Sequence, residues 1–377
     1  MARLVDRFGR VARDMRVSLT DRCNLRCSYC MPENGVSFMP ARHLLTDNEV
    51  IRLVRIGVEK LGISTVRFTG GEPLLRSGLE EIIAATSEMT VGGESDGHSG
   101  ERRHDGHSDA SDGCSGASSP IAGVDDTPAS PDIALTTNGI GLDKRVRALK
   151  NAGLRRVNIS LDSIHEDEYV HIARRQHFAE AVAGIKAARR AGLDPVKINA
   201  VLMRGVNDRS AADLVAFGLS EGVTVRFIEY MPLGPRDGWR RDAVVRGDEL
   251  IARLREDFDV TPISAAERGS APAQLWNVAA GWYQGVFHPA GMVGFISSVS
   301  DPFCGQCDRT RLTADGSIRS CLFSDSETNL RELLRSGASD EDIMRAWQTR
   351  MWAKPKSHGM DDPDFVPPER TMSSIGG

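Results

Sequence analysis

The sequence predicts an α/β protein, a closed or partly closed barrel of parallel strands with helices outside it, followed by a smaller C-terminal domain. Three observations predict this. From Met15 to about Tyr230, six β-rich runs alternate with helical stretches. Three of those stretches close on Ala-Gly-Leu or Leu-Gly-Ile, the pattern of a helix C-cap followed by a strand. After Tyr230 the rhythm changes. Regular strand–helix alternation implies parallel strands joined by right-handed crossovers, and six such units suit a barrel better than two separate halves.

The elements follow in order. The predicted strands are Met15–Leu19, Val66–Thr69, Ile133–Thr136, Val157–Leu161, Val196–Leu202 and Thr224–Glu229. Asp47–Leu61 carries Val50, Ile51, Val54 and Val58 at helical spacing, and Thr46 with Glu49 forms a capping-box pattern at its start. Arg145–Ala152, Phe178–Ala191 and Asp213–Ser220 read as further helices. The stretch 91–131 is rich in Gly, Ser, Asp and His, and is expected to be a disordered polar insert in a surface loop. Its His98, His104, His107 and Cys114 offer metal ligands, but a solvated insert accounts for them. Residues 1–232 are assigned to the barrel and 233–377 to the second domain. There, Met231–Trp239 reads as a linker or lid, Asp248–Phe258 as a helix, and Leu275–Val299 as paired strands. Helices are expected near Asn329–Leu334 and Asp340–Trp352.

Composition removes several function classes. The net charge of −5 over 377 residues gives no global basic field for nucleic acid. Met1–Asp14 has no apolar run, so no secretory signal is expected. No stretch approaches the length of a membrane span, and the expected location is cytoplasmic. Seven cysteines without such a signal argue against a disulfide framework and for metal or redox work.

Six of those cysteines fall into two groups. Cys23, Cys27 and Cys30 share one short loop after the first strand, at the end of a barrel where active sites sit. Three soft thiolates without a nearby fourth ligand suit a [4Fe–4S] cube with one open iron; a structural zinc loop is the alternative. Cys304, Cys307 and Cys321 form the second group, suited to a second cube or to a zinc site completed by His288 or His358. Between them lie Arg309 and Arg311, which fit a bidentate anion such as a nucleotide triphosphate. Gly70-Gly71-Glu72-Pro73 follows the second strand, where paired glycines permit close backbone approach.

These residues carry a resemblance. The Cys23/Cys27/Cys30 loop with Tyr29, together with Gly70-Gly71-Glu72-Pro73, resembles the radical S-adenosylmethionine superfamily. Asp14–Cys23, Val66–Leu74, Leu135–Gly139, Asn158–Asp162, Arg226–Met231, the Cys304/Cys307/Cys321 group and the closing Gly376-Gly377 resemble, within it, the GTP 3′,8-cyclases of molybdenum cofactor synthesis, over nearly the whole chain. The resemblance implies an incomplete six-unit βα barrel, TIM-like, closed by a C-terminal domain that carries a second cluster. It implies two [4Fe–4S] clusters, S-adenosylmethionine as cosubstrate, and a radical that takes hydrogen from C3′ of GTP before ring closure at C8. Cys23, Cys27 and Cys30 would hold the first cluster, and Tyr29, Gly71, Ser160 and Met231 would contact S-adenosylmethionine. Cys304, Cys307 and Cys321 would hold the second. Arg16, Arg67, Thr136, Lys197, Arg309 and Arg311 would bind GTP, with Arg226 nearby. Gly376-Gly377 would reach into the site. The implied partners are a flavodoxin- or ferredoxin-like electron donor and the cyclic pyranopterin monophosphate synthase that takes the product; a homodimer is compatible. The insert at 91–131 departs from the family's short loop there. The competing readings are a peptide-modifying radical enzyme with an auxiliary cluster and a zinc-binding interaction module.

Overall fold

The computed structural model describes residues 2–92, 129–234, 238–264 and 272–376. Most of the insert, with Cys114, lies outside the described residues.

Six parallel strands follow one another in chain order across one sheet: β1 Asp14–Ser18, β2 Thr65–Thr69, β3 Asp132–Thr137, β4 Arg156–Ser160, β5 Val196–Leu202 and β6 Thr224–Glu229. Every predicted strand forms, within a residue at either end. The helices between them are α1 Asp47–Arg55, α2 Leu79–Ser87, α3 Leu142–Asn151, α4 Glu166–Ala173, α5 Phe178–Arg190 and α6 Ala211–Glu221. The predicted capping box starts α1: Thr46 Oγ1 accepts from the Glu49 N–H at 3.2 Å, and Thr46 N–H donates to Glu49 Oε2 at 2.8 Å. The predicted helix then widens into a π turn over Ile56–Lys60. One helix, α4, goes beyond the prediction. In α4 the acidic first turn Glu166-Asp167-Glu168 leaves only Tyr169, Ile172 and Ala173 buried, too short a stripe to show a period.

The strand ring does not close. Beyond β6 the chain forms α7 Gly247–Asp257, β7 Val260–Pro262, β8 Gln274–Val278, β9 Gly281–Tyr283, β10 Val286–His288, β11 Gly291–Ile296, β12 Arg309–Leu312, β13 Ser317–Arg319, β14 Glu327–Asn329, α8 Leu330–Arg335, α9 Asp340–Trp352 and α10 Met372–Ile375. β11 pairs parallel with β6, and β12 pairs parallel with β1. The sheet therefore runs β14-β13-β12-β1 through β6-β11-β8-β7 and holds twelve strands, with β9 and β10 as a separate hairpin. The result is an incomplete barrel whose two open edges are extended by C-terminal strands.

Period-two alternation sorts the strand residues. Met15, Val17, Val66, Phe68, Val157 and Ile159 face outward and are buried with the helices in the main apolar core. Arg16, Arg67, Thr136, Asn158, Asn199 and Arg226 face inward and line one shared cavity. The interior is polar because alternate positions of nearly every strand are polar.

Candidate functional site

The first thiol trio sits where β1 ends. The loop after it is held down by the next strand's loop: Gly71 N–H donates to Thr20 O at 2.7 Å, and Glu72 N–H donates to Arg22 O at 2.7 Å. The glycines permit this close approach. A Cβ on Gly71 would stand 2.2 Å from Arg22 O, and one on Gly70, at φ 148°, would stand 2.6 Å from Thr20 O. Their closest neighbour is thus the cysteine loop's own backbone, a packing role the bare motif does not reveal. Glu72 is buried and accepts from Leu74 N–H at 2.9 Å, Thr137 Oγ1 at 2.7 Å and Asn138 N–H at 2.7 Å. One carboxylate thus joins the loops after β2 and β3, and burial lifts its pKa to about 7.

Tyr29 is oriented from beneath. Its hydroxyl donates to Asp162 Oδ2 at 2.9 Å, and Asp162 Oδ1 accepts from Val201 N–H at 2.8 Å. Burial brings Asp162 to about 6. Burial likewise pushes Cys23 up to about 11, Cys30 up to about 12, and Cys27 well above the ordinary thiol range. Such thiols are poor thiolates alone; a bound iron reverses that by supplying the local positive charge. The described cysteines are all free of disulfides.

The second trio lies at the opposite end of the same barrel. Cys304 and Cys307 immediately precede β12, which runs parallel to β1 with Asp14 level with Arg309. Cys321 follows β13, antiparallel to β12, and so returns to that same end. β1's five residues, at about 3.3 Å each, separate the two ends by roughly 16 Å. Both trios line one cavity. Several groups fix the second loop: Arg10 Nη1 donates to Cys304 O at 2.6 Å, and Lys354 Nζ donates to Cys307 O at 2.9 Å and Arg309 O at 3.0 Å. Buried Glu229 Oε2 accepts from Val299 and Ser300 N–H at 2.6 and 2.8 Å. Burial raises Cys307, but Lys354 and Arg309 outweigh it and leave that thiol below its usual range.

Between the trios lies a row of arginines in strand register, Arg311 beside Arg16 beside Arg67. Like charges set side by side on neighbouring strands repel. Burial and then Arg309 hold Arg16 well below its ordinary value, and hold Arg311 at about 10. Burial and then Arg67 bring Arg226 to about 9. Burial would raise Asp14, yet Arg16, Arg67, Arg309 and Arg311 together leave its carboxyl below the usual range. The buried Nε groups of Arg16, Arg67 and Arg309 have no hydrogen-bond partner. Buried cationic donors without acceptors are costly, and an anion with several oxygens answers all of them at once. Arg226 is the exception, since its guanidinium already donates to Asn199 Oδ1 at 2.7 Å and Asn158 Oδ1 at 2.9 Å.

Of the residues predicted for this site, Tyr29, Gly71, Ser160, Met231, Arg16, Arg67, Thr136, Arg309, Arg311 and all six cysteines line the cavity. Lys197 does not line it; it lies one inward step below Asn199 on β5, among Arg226, Arg156 and Arg67. The chain's end is drawn in. Met372 N–H donates to Leu233 O at 3.0 Å, the Ser373 backbone hydrogen-bonds the Cys30 sulfur, and Gly376 O accepts from Arg311. A Cβ on Gly376 would stand 2.8 Å from Thr69 Cγ2, so only glycine passes there. Gly377 lies outside the described residues. Among the described residues no three His, Cys, Asp or Glu side chains gather to hold a single metal ion. Three thiolates bound to different irons of one cube stand farther apart than three sharing one zinc. His288, a zinc ligand in one alternative, does not line the cavity but packs edge-on to Phe258 at 5.3 Å. Asp14, Glu72, Asn138, Asp162 and Glu229 lie within the runs that carry the resemblance but receive no role from the sequence, and Lys354 lies outside every run.

Residues 17–218 match the model of the radical SAM superfamily, and residues 223–360 match that of Molybdenum Cofactor Synthesis C. The GTP 3′,8-cyclase of Corynebacterium glutamicum is 50% identical over 374 residues, covering 99% of this chain and 89% of that one. Those of Mycolicibacterium smegmatis and Streptomyces coelicolor are 48% and 46% identical, each over 99% of this chain and over 92% and 96% of theirs. Among solved structures, Streptococcus suis SuiB bound to S-adenosylmethionine superposes with a TM-score of 0.53 at 12% identity, over 93% of this chain and 68% of that one. At that identity it is a likeness of fold. No helix among the described residues is long and apolar enough to cross a membrane.

Proposed function

The chain belongs to the GTP 3′,8-cyclase family of the radical S-adenosylmethionine superfamily, and from that premise we propose how its cavity works. It is a lyase that converts GTP to (8S)-3′,8-cyclo-7,8-dihydroguanosine 5′-triphosphate, the first step of molybdenum cofactor synthesis. A [4Fe–4S] cluster with S-adenosylmethionine, when bound, supplies one-electron cleavage of the sulfonium and hence the radical that opens the cyclisation.

The residues present fit these groups. Cys23, Cys27 and Cys30 hold the first cluster, and Tyr29, Gly71, Ser160 and Met231 share its end of the cavity as contacts for S-adenosylmethionine. Cys304, Cys307 and Cys321 would hold a second [4Fe–4S] cluster at the far end, and three thiolates would leave it a site for the guanine base. Arg16, Arg67, Arg309 and Arg311 take the triphosphate, with Thr136 on the cavity wall and Lys197 beneath. The barrel wall and the C-terminal tail keep water from the space between. A flavodoxin- or ferredoxin-like donor delivers the electrons, and cyclic pyranopterin monophosphate synthase takes the product.

One observation carries this assignment: buried arginines, with the Nε groups of Arg16, Arg67 and Arg309 left without a hydrogen-bond partner, stand between two thiol trios of one cavity. It favours a nucleotide over a peptide substrate. Reduced, anaerobic protein given S-adenosylmethionine and GTP should yield the cyclised nucleotide with stoichiometric deoxyadenosine. Deoxyadenosine formed with no cyclised nucleotide would contradict the assignment.

Lys197 gives a pH signature. Burial and then Arg226 bring it down to about 8. A bound triphosphate favours its charged form, so binding takes up a proton near that pH. GTP affinity is then complete below about pH 8 and falls as pH rises above it. Titrations from roughly pH 7 to 9.5 should show that fall in the parent and a flatter profile in Lys197→Gln. Equal slopes in both would remove Lys197 from the phosphate site.

A further inference from the structure

We propose that His358 is a positioning residue for the second cluster, donating a hydrogen bond from Nε2–H to one of that cluster's sulfurs without itself ligating iron. The inference rests on the second-cluster assignment above.

His358 is 8% exposed, and its ring lines the cavity with Cys304, Cys321 and Phe323. Three contacts fix it. Nδ1 accepts from the Met360 N–H at 2.9 Å. The ring meets Phe323 edge-on, with centroids 5.5 Å apart and planes at 62°. The His358 backbone hydrogen-bonds the Cys304 sulfur.

The Met360 contact decides the tautomer. A neutral imidazole has one N–H and one lone pair. With the lone pair of Nδ1 engaged, the proton sits on Nε2. A protonated Nε2 has no lone pair for iron, so His358 does not fill the fourth corner of the cube. That corner stays open for substrate.

Nε2 is nevertheless a buried donor with no partner. The atom itself has almost no exposed surface, although the ring lines the cavity. The wall beside it is the Cys304/Cys321 end. A cube held there would bring bridging sulfides and thiolates to this end of the cavity. A sulfur of that cube is the acceptor the geometry leaves for Nε2–H. Hydrogen bonds to cluster sulfurs withdraw charge and raise the reduction potential. His358 thereby sets how readily the second cluster keeps its oxidised state while the base is bound.

The test uses the full chain with Cys23, Cys27 and Cys30 changed to alanine, so that only the second cluster assembles. EPR-monitored redox titration compares that protein with the same chain carrying His358→Phe or His358→Gln. Phenylalanine keeps the ring packing and removes the donor; glutamine restores an N–H. The expected result is about a tenfold shift toward the oxidised form with phenylalanine, about 59 mV for a one-electron couple, partly recovered with glutamine. An unchanged midpoint in the phenylalanine variant, with its four irons bound, overturns the proposal. A parent that binds no iron overturns the second-cluster assignment itself, and the two failures are told apart by the iron count. Should the phenylalanine variant not fold, pulsed EPR on the ¹⁵N-histidine-labelled parent decides. A weak nitrogen coupling is expected; none, or the strong coupling of a directly bound nitrogen, overturns the proposal.

Discussion

Replacing Arg309 and Arg311 together with alanine should abolish GTP cyclisation while S-adenosylmethionine is still cleaved. Both residues sit on β12, Arg309 level with Asp14 beside the second trio and Arg311 level with Arg16 in the middle of the barrel. Neither is among the side chains assigned to S-adenosylmethionine, Tyr29, Ser160 and Met231. A hydrogen bond to a charged group is worth about 1.5–3 kcal/mol. Losing two such contacts weakens triphosphate binding by about 3–6 kcal/mol, roughly 10²–10⁴-fold. Arg311 also donates to Gly376 O, so its loss frees the C-terminal tail as well. The Arg309→Ala single variant separates the two effects, because Arg309 packs instead over the Phe303 ring at 4.6 Å. GTP binding by equilibrium dialysis, with deoxyadenosine and cyclised product measured in parallel, checks this. Normal cyclisation in the double variant would remove the arginines from the phosphate site.

The Cys23→Ala variant should lose deoxyadenosine formation to the level of protein-free controls. Cys23 is held by its own loop: its sulfur accepts from Leu25 N–H at 3.4 Å, and Asn138 Nδ2 lies 4.0 Å away. The remaining thiols, Cys27 and Cys30, are pushed upward by burial and cannot replace a third ligand. The second trio is untouched, since it is built on β12 and β13 at the other end. GTP should therefore still bind. Deoxyadenosine at parental rates in this variant would move the cleavage chemistry elsewhere.

Much of this architecture was legible in the sequence, because strand–helix alternation and period-two polarity are local signals. The β5 run Val196–Leu202 and the α9 stretch Asp340–Trp352 form over the residues their patterns mark. The capping box at Thr46 and Glu49 was equally readable. What local pattern could not supply was long-range pairing. β11 beside β6 and β12 beside β1 join segments far apart in the chain, and this pairing alone puts the second trio at the barrel's other end. The thiols of both groups were visible as motifs; that one cavity runs between them was not. Glu72, Asp162 and Glu229 were likewise hidden, because their roles are hydrogen bonds to backbone distant in sequence. Lys197 sits lower than expected because the inward face of β5 presents Asn199, not Lys197, at the level of Arg226.

On the proposed assignment, two separate iron cubes are held at the two ends of one barrel. Anaerobic reconstitution followed by an iron and sulfide count tests it most directly. The parent should bind about eight irons. Replacing all three cysteines of either trio should leave about four, and replacing all six should leave none. A parent saturating at four irons, or a trio that takes a single zinc ion instead, would rule out two cubes.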